Sequence, residues 1–111
     1  MSTRQDKIAK QIQKDIAAII LQHKNTIAPG KMLTVTSVRI SPDLSVARIY
    51  ISVFPSENSA GDVKSMNQHV GIFRNELGRK LRNQVKKIPE ITFFLDDSLD
   101  YLENIENLLS H

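Results

Sequence analysis

The chain has no cysteine and no tryptophan. Without thiols, a disulfide scaffold, a thiolate zinc site and a cysteine nucleophile are all excluded. No apolar run approaches the roughly 18 residues of a membrane-spanning helix, and the N-terminus opens polar, as MSTRQDKIAK, without a signal-peptide core. Cytoplasmic localisation, with no membrane partner, is therefore the expectation. Aromatic residues are only 5% of the chain, which leaves little for base stacking. Tyr50 is the aromatic expected at the surface, with Phe73, Phe93 and Phe94 assigned mostly to the core. The three histidines, His23, His69 and His111, are scattered and do not make a metal site. His69 has no nucleophile or carboxylate at a useful spacing, so no catalytic residue, metal or cofactor is expected and the chain does not read as an enzyme. Asp96-Asp97 has the chemistry for magnesium, but capping a following helix suits it better.

What is present is ordinary globular chemistry: 111 residues, 41% hydrophobic and 24% charged, enough for a single domain over 1–111. The formal charge of +3 hides a segregation. Residues 1–31 hold six Lys/Arg against two Asp, and residues 61–89 hold seven against Asp62 and Glu76. The last 22 residues have no Lys or Arg and six acids, Glu90, Asp96, Asp97, Asp100, Glu103 and Glu106. Charge sorted in this way suggests a polyanion-binding surface and an acidic flank that faces elsewhere. A charge run is equally a solvated face, so the reading depends on whether the cations share one.

Along residues 3–22, Ile8, Ile12, Ile16, Ile19 and Ile20 recur at helical spacing, and Ser2 with Gln5 forms a candidate capping box. Arg4, Lys7, Lys10 and Lys14 gather on a different arc of that helix. After Pro29-Gly30, residues 33–40 and 45–54 read as strands joined by Ser41-Pro42-Asp43-Leu44. Ala47, Ile49, Ile51 and Val53 alternate cleanly with Arg48, Tyr50 and Ser52. The slip of parity between Val35 and Val38 predicts a bulge near Thr36 or Ser37. From Asp62 to about Lys86 a second stripe runs through Val63, Met66, Val70, Phe73, Leu77, Leu81 and Val85. Gly71 inside it predicts two helices meeting at an angle near His69–Gly71. Residues 90–95 read as a third strand. Asp97 or Ser98 would cap a short C-terminal helix carrying Leu99, Leu102, Ile105 and Leu109.

The order predicts an α+β fold, a three-stranded sheet with its helices on one face. It matches the αββααβ arrangement of the type II KH fold, a single-stranded-RNA module. The loop joining the paired helices in that fold usually reads GxxG; here the junction is Gln68-His69-Val70-Gly71-Ile72-Phe73-Arg74. Three segments in order resemble the ribosome-binding factor A family: Val38 to Tyr50, Gly71-Ile72-Phe73-Arg74 with Leu77, and Ile88-Pro89-Glu90-Ile91-Thr92-Phe93-Phe94-Leu95-Asp96-Asp97-Ser98. The resemblance covers residues 4 to about 109. In that family a kinked helix with an Ala-x-Gly signature replaces GxxG; His69 stands here in place of the alanine, with Val70 and Gly71 after it.

The resemblance implies a non-catalytic assembly factor. Such a factor binds free or precursor small ribosomal subunits through their rRNA and supports late maturation and 5′ end processing of that rRNA. It also implies a role in cold adaptation, and departure with the help of a release GTPase. A monomer is expected, with ribosomal proteins as further partners. The implied RNA-binding surface joins Arg4, Lys7, Lys10 and Lys14 to Arg74, Arg79, Arg82, Lys86 and Lys87, with affinity steeply dependent on salt. For Lys86 and Lys87 the alternative is complementing a helix dipole in a last turn, and for Arg74 an intramolecular partner. The rival function is a protein-binding module that uses the acidic C-terminal helix without RNA contact.

Overall fold

The computed structural model describes residues 3–96, so the predicted C-terminal helix and its acidic face lie outside the described residues. The order is α1 (Arg4–Ile27), β1 (Met32–Ile40), β2 (Val46–Phe54), α2 (Ser59–Gln68), α3 (Val70–Leu81) and β3 (Glu90–Leu95). This is the predicted α+β, KH-like αββααβ arrangement. The sheet runs β1-β2-β3. β1 and β2 are antiparallel, and β3 lies parallel to β2 after the crossover that α2 and α3 supply.

The helix stripes and the strand alternation meet in one core. Ile12, Ile16 and Ile19 of α1, Ala47, Ile49 and Ile51 of β2, and Met66, Phe73, Leu77 and Leu81 of α2 and α3 are fully buried. Phe73 meets Phe93 of β3 edge-on, with centroids 4.8 Å apart. The predicted bulge falls between Val35 and Ser37. Without it, Val38 and Ile40 would turn to solvent, because side chains alternate with a period of two.

Besides α2, which begins at Ser59 rather than Asp62, three element ends differ from expectation. The capping box of α1 is Thr3 with Asp6, not Ser2 with Gln5: Thr3 Oγ1 accepts from Asp6 N at 3.1 Å and Asp6 Oδ2 accepts from Thr3 N at 3.3 Å. The helix also runs five residues past 22, because Ile27 returns to the core and Ser65 Oγ caps its carbonyl at 3.1 Å. The helix after the break stops at Leu81 rather than near Lys86. Val85 keeps its buried place through a turn, its N–H reaching Leu81 O at 3.1 Å. Lys86 and Lys87 therefore follow the helix and do not serve its dipole.

Side-chain amides close both flanks of the sheet. Gln5 and Gln13 of α1 donate to the carbonyls of Ile40 and Val35 in β1. Asn67 of α2 brackets Phe93 of β3, donating to its carbonyl at 3.0 Å and accepting from its N–H at 2.8 Å. The helices pack on the inner face. The outer face carries Met32, Thr34, Ser37 and Arg39 from β1, Val46, Arg48, Tyr50, Ser52 and Phe54 from β2, and Glu90, Thr92 and Phe94 from β3. Met32 and Phe54, opposite each other, are 65% and 63% exposed.

Candidate nucleic-acid interface

The isoleucines that anchor α1 also set its rotation. At about 100° per residue, Lys7, Lys10 and Lys14 fall within an arc of about 60° on the side away from the core. All three are exposed. The two acids of the helix are occupied: Asp6 closes the capping box, and Asp15 is buried with Gln11 donating to it at 3.0 Å. Asp6 borders the stripe beside Lys10 but falls outside its arc, so no carboxylate stands between the three ammonium groups.

Arg4, one turn before Lys7, reaches across the fold and donates to Gln84 O at 3.2 Å. It lines a cleft of about 320 Å³ with Lys86 and Lys87 and with Asp43, Leu44 and Ser45 of the hairpin turn. Cations some 80 residues apart in sequence thus converge beside the α1 stripe, in the linker between α3 and β3. Asp43 is the one acid of that cleft. Hydrogen bonds from the Ser45 hydroxyl, the Ser41 hydroxyl and the Ser45 N–H lower its pKa from 3.8 to about 2, so it stays charged and is held inside its turn.

The remaining predicted cations divide. Glu76 of α3 meets His23 of α1 at 3.0 Å, which fixes the flank of α3 that faces α1. Arg74 lies on the other flank, about 160° away by helical spacing, and donates to Ile88 O at 3.5 Å. It does not join the α1 stripe, and its intramolecular partner is in the linker. Arg79 is exposed in the last turn of α3, beside Lys80, and Arg82 is the exposed C-cap, two residues before the carbonyl that receives Arg4.

The helix break is centred on His69, C-cap of α2 and N-cap of α3. Its backbone N–H donates to Ser65 O and Met66 O, and its ring Nδ1 lies 2.8 Å from Ser65 O, so that nitrogen carries the proton. The histidine ring thus adds a second donor to the Ser65 carbonyl, which already accepts the His69 backbone N–H at the end of α2. Val70 is half-buried. Gly71 sits exposed in the first turn of α3 with nothing within 4 Å of where a Cβ would stand. No acid occupies that first turn.

The sequence reading missed the pairing of Arg39 and Arg48, which face each other across β1 and β2. Strand alternation placed Arg48 outward, but Arg39 reaches the same face only through the bulge at Thr36. Among the described residues no three His, Asp or Glu side chains group as a metal site, and no helix is long and apolar enough to cross a membrane.

Comparison with known proteins agrees with this geometry. The family model for ribosome-binding factor A matches residues 4–109. Ribosome-binding factor A of Cytophaga hutchinsonii is 39% identical over 98% of this chain and 82% of its own length. The crystal structure of ribosome-binding factor A from Thermus thermophilus superposes with a TM-score of 0.70 at 22% identity, covering 82% of this chain and 94% of that one. A homology model of the Thermus thermophilus factor, fitted into the cryo-EM map of a complex with the 30S subunit, gives a TM-score of 0.65 at 24% identity over 80% of this chain and 91% of that one. With the fold shared and the match running from the start of α1 to beyond β3, the chain belongs to the ribosome-binding factor A family.

Proposed function

We propose that this chain is a small-subunit assembly factor. It binds the immature small ribosomal subunit through rRNA phosphates, supports late maturation and 5′ end processing of that rRNA, and contributes to growth in the cold. It acts in the cytoplasm as a monomeric single domain without catalysis or cofactor, and a GTPase assists its release. Family membership supports this reading, as does the fit of a Thermus relative into a 30S complex. The observation that carries it is the acid-free stripe of Lys7, Lys10 and Lys14 continuing through Arg4 into the cleft with Lys86 and Lys87. Several cations on one continuous surface suit a phosphate backbone, where each contact releases counterions and steepens the salt dependence. Arg79 and Arg82 extend the surface at the end of α3, and the acid-free start of α3 at Val70-Gly71 offers N–H groups to a further phosphate.

Replacing Lys7, Lys10 and Lys14 together with glutamate is expected to abolish co-sedimentation with free small subunits while the thermal transition stays nearly unchanged. Undiminished binding by that variant would discard the surface. A module that docks only on ribosomal protein would show association almost independent of salt.

A further inference from the structure

The outer face of the sheet sets a stacked aromatic pair beside two arginines that make no ion pair or hydrogen bond among the described residues. Tyr50 and Phe94, adjacent in register on β2 and β3, stack with centroids 5.5 Å apart and planes 27° from parallel. Phe94 is 38% exposed. Two residues along β2, Arg48 stands directly opposite Arg39 of β1, and both are exposed. Neither guanidinium makes an ion pair or hydrogen bond among the described residues. Like charges directly opposite on antiparallel strands repel, and an anion lying between the two guanidiniums would relieve that repulsion. The two arginines line a recess of about 310 Å³ with Ile40, Ser41 and Val46. Ser37 faces Tyr50 and Thr92 faces Arg48, adding hydroxyl donors. Of the nearby carboxylates, Glu90 is exposed on the same face opposite Val46, one register step from Arg48 but in no ion pair with it among the described residues, and Asp96 is bonded to Thr36.

We propose that this face binds single-stranded RNA, with Arg39 and Arg48 gripping a phosphate and the Tyr50–Phe94 pair stacking a base. Two strand residues span about 7 Å, a distance one nucleotide covers between its phosphate and its base. Aromatic stacking accepts any base, while paired guanidiniums fix the backbone. The apolar pair Met32 and Phe54, which a protein partner would use, lies at the other end of the face, beyond Thr34 and Ser52. The inference rests on the chain being an RNA-binding factor, but it uses none of the residues of the α1 surface.

The test is binding of a ten-residue oligouridylate to the full chain across a range of potassium chloride concentrations. The Arg39→Gln/Arg48→Gln variant should reduce the slope of log affinity against log salt by about 0.7, the loss of one single-strand phosphate contact. Phe94→Leu should weaken binding about tenfold at unchanged slope. Ultraviolet crosslinking should mark Tyr50 or Phe94. Unchanged affinity and slope in both variants, with native thermal transitions, overturns the proposal. So do crosslinks to the oligouridylate that fall only at residues outside this face. The Lys7/Lys10/Lys14→Glu variant in the same assay separates the two readings: loss there alone removes only the sheet-face site, and loss at neither surface removes both.

Discussion

Asp43 owes its low pKa to the serines on either side of it in the hairpin turn. Ser45 contributes most, through its hydroxyl, with the Ser41 hydroxyl and the Ser45 N–H behind it. Because the folded-state pKa is depressed from 3.8 to about 2, the turn's contribution to stability is complete above the unfolded value and fades as the pH falls through the folded one. An NMR titration of the carboxyl should show a midpoint near 2, and Ser45→Ala should move it back toward 3.8. At the helix break, Gly71 has a clear space around it, so nothing within the described chain needs its missing side chain. Gly71→Ala is expected to stabilise the protein by about 0.5–1 kcal/mol, seen as a higher denaturant midpoint. A fall would show that the break requires glycine after all.

Among the elements, Asn67 ties α2 to β3 by holding both backbone groups of Phe93. Asn67→Ala leaves a donor and an acceptor unpaired and should cost about 1–3 kcal/mol. Hydrogen exchange at the Phe93 amide should accelerate selectively. The helices and strands also show what a one-dimensional reading can see. Ile8 to Ile20 and Ala47 to Val53 announce their elements because burial imposes a period, and the bulge at Thr36 announces itself because it breaks one. The end of α1 was obscured by the polar run from Gln22 to Thr26, with Ile27 alone beyond it. The end of α3 was obscured because Val85 keeps helical spacing while a turn does the burying. Half of the candidate site lay within one helix and could be read from it. The meeting of Arg4 with Lys86 and Lys87, and of Arg39 with Arg48, is set by tertiary contact and strand register, which no local pattern records.

Taken whole, the molecule has a dense interior between its three helices and the sheet, with polar chemistry on two separate surfaces. Phe73 lies at its centre, fully buried against Phe93. Phe73→Ala should cost about 3–5 kcal/mol, lowering the thermal midpoint by well over ten degrees in a domain of this size; a small shift would mean that the core collapses to fill the space.

The amides on the two flanks of the sheet have a consequence for crowding. A small sheet with bare backbone along its margins invites a neighbouring chain to zip on as another strand, the first step toward a fibre. Here Gln5 and Gln13 take up carbonyls on one margin, and Asn67 holds both groups of a residue on the other. At those positions an incoming strand meets backbone that is already engaged, which steers contact toward the side chains of the open face.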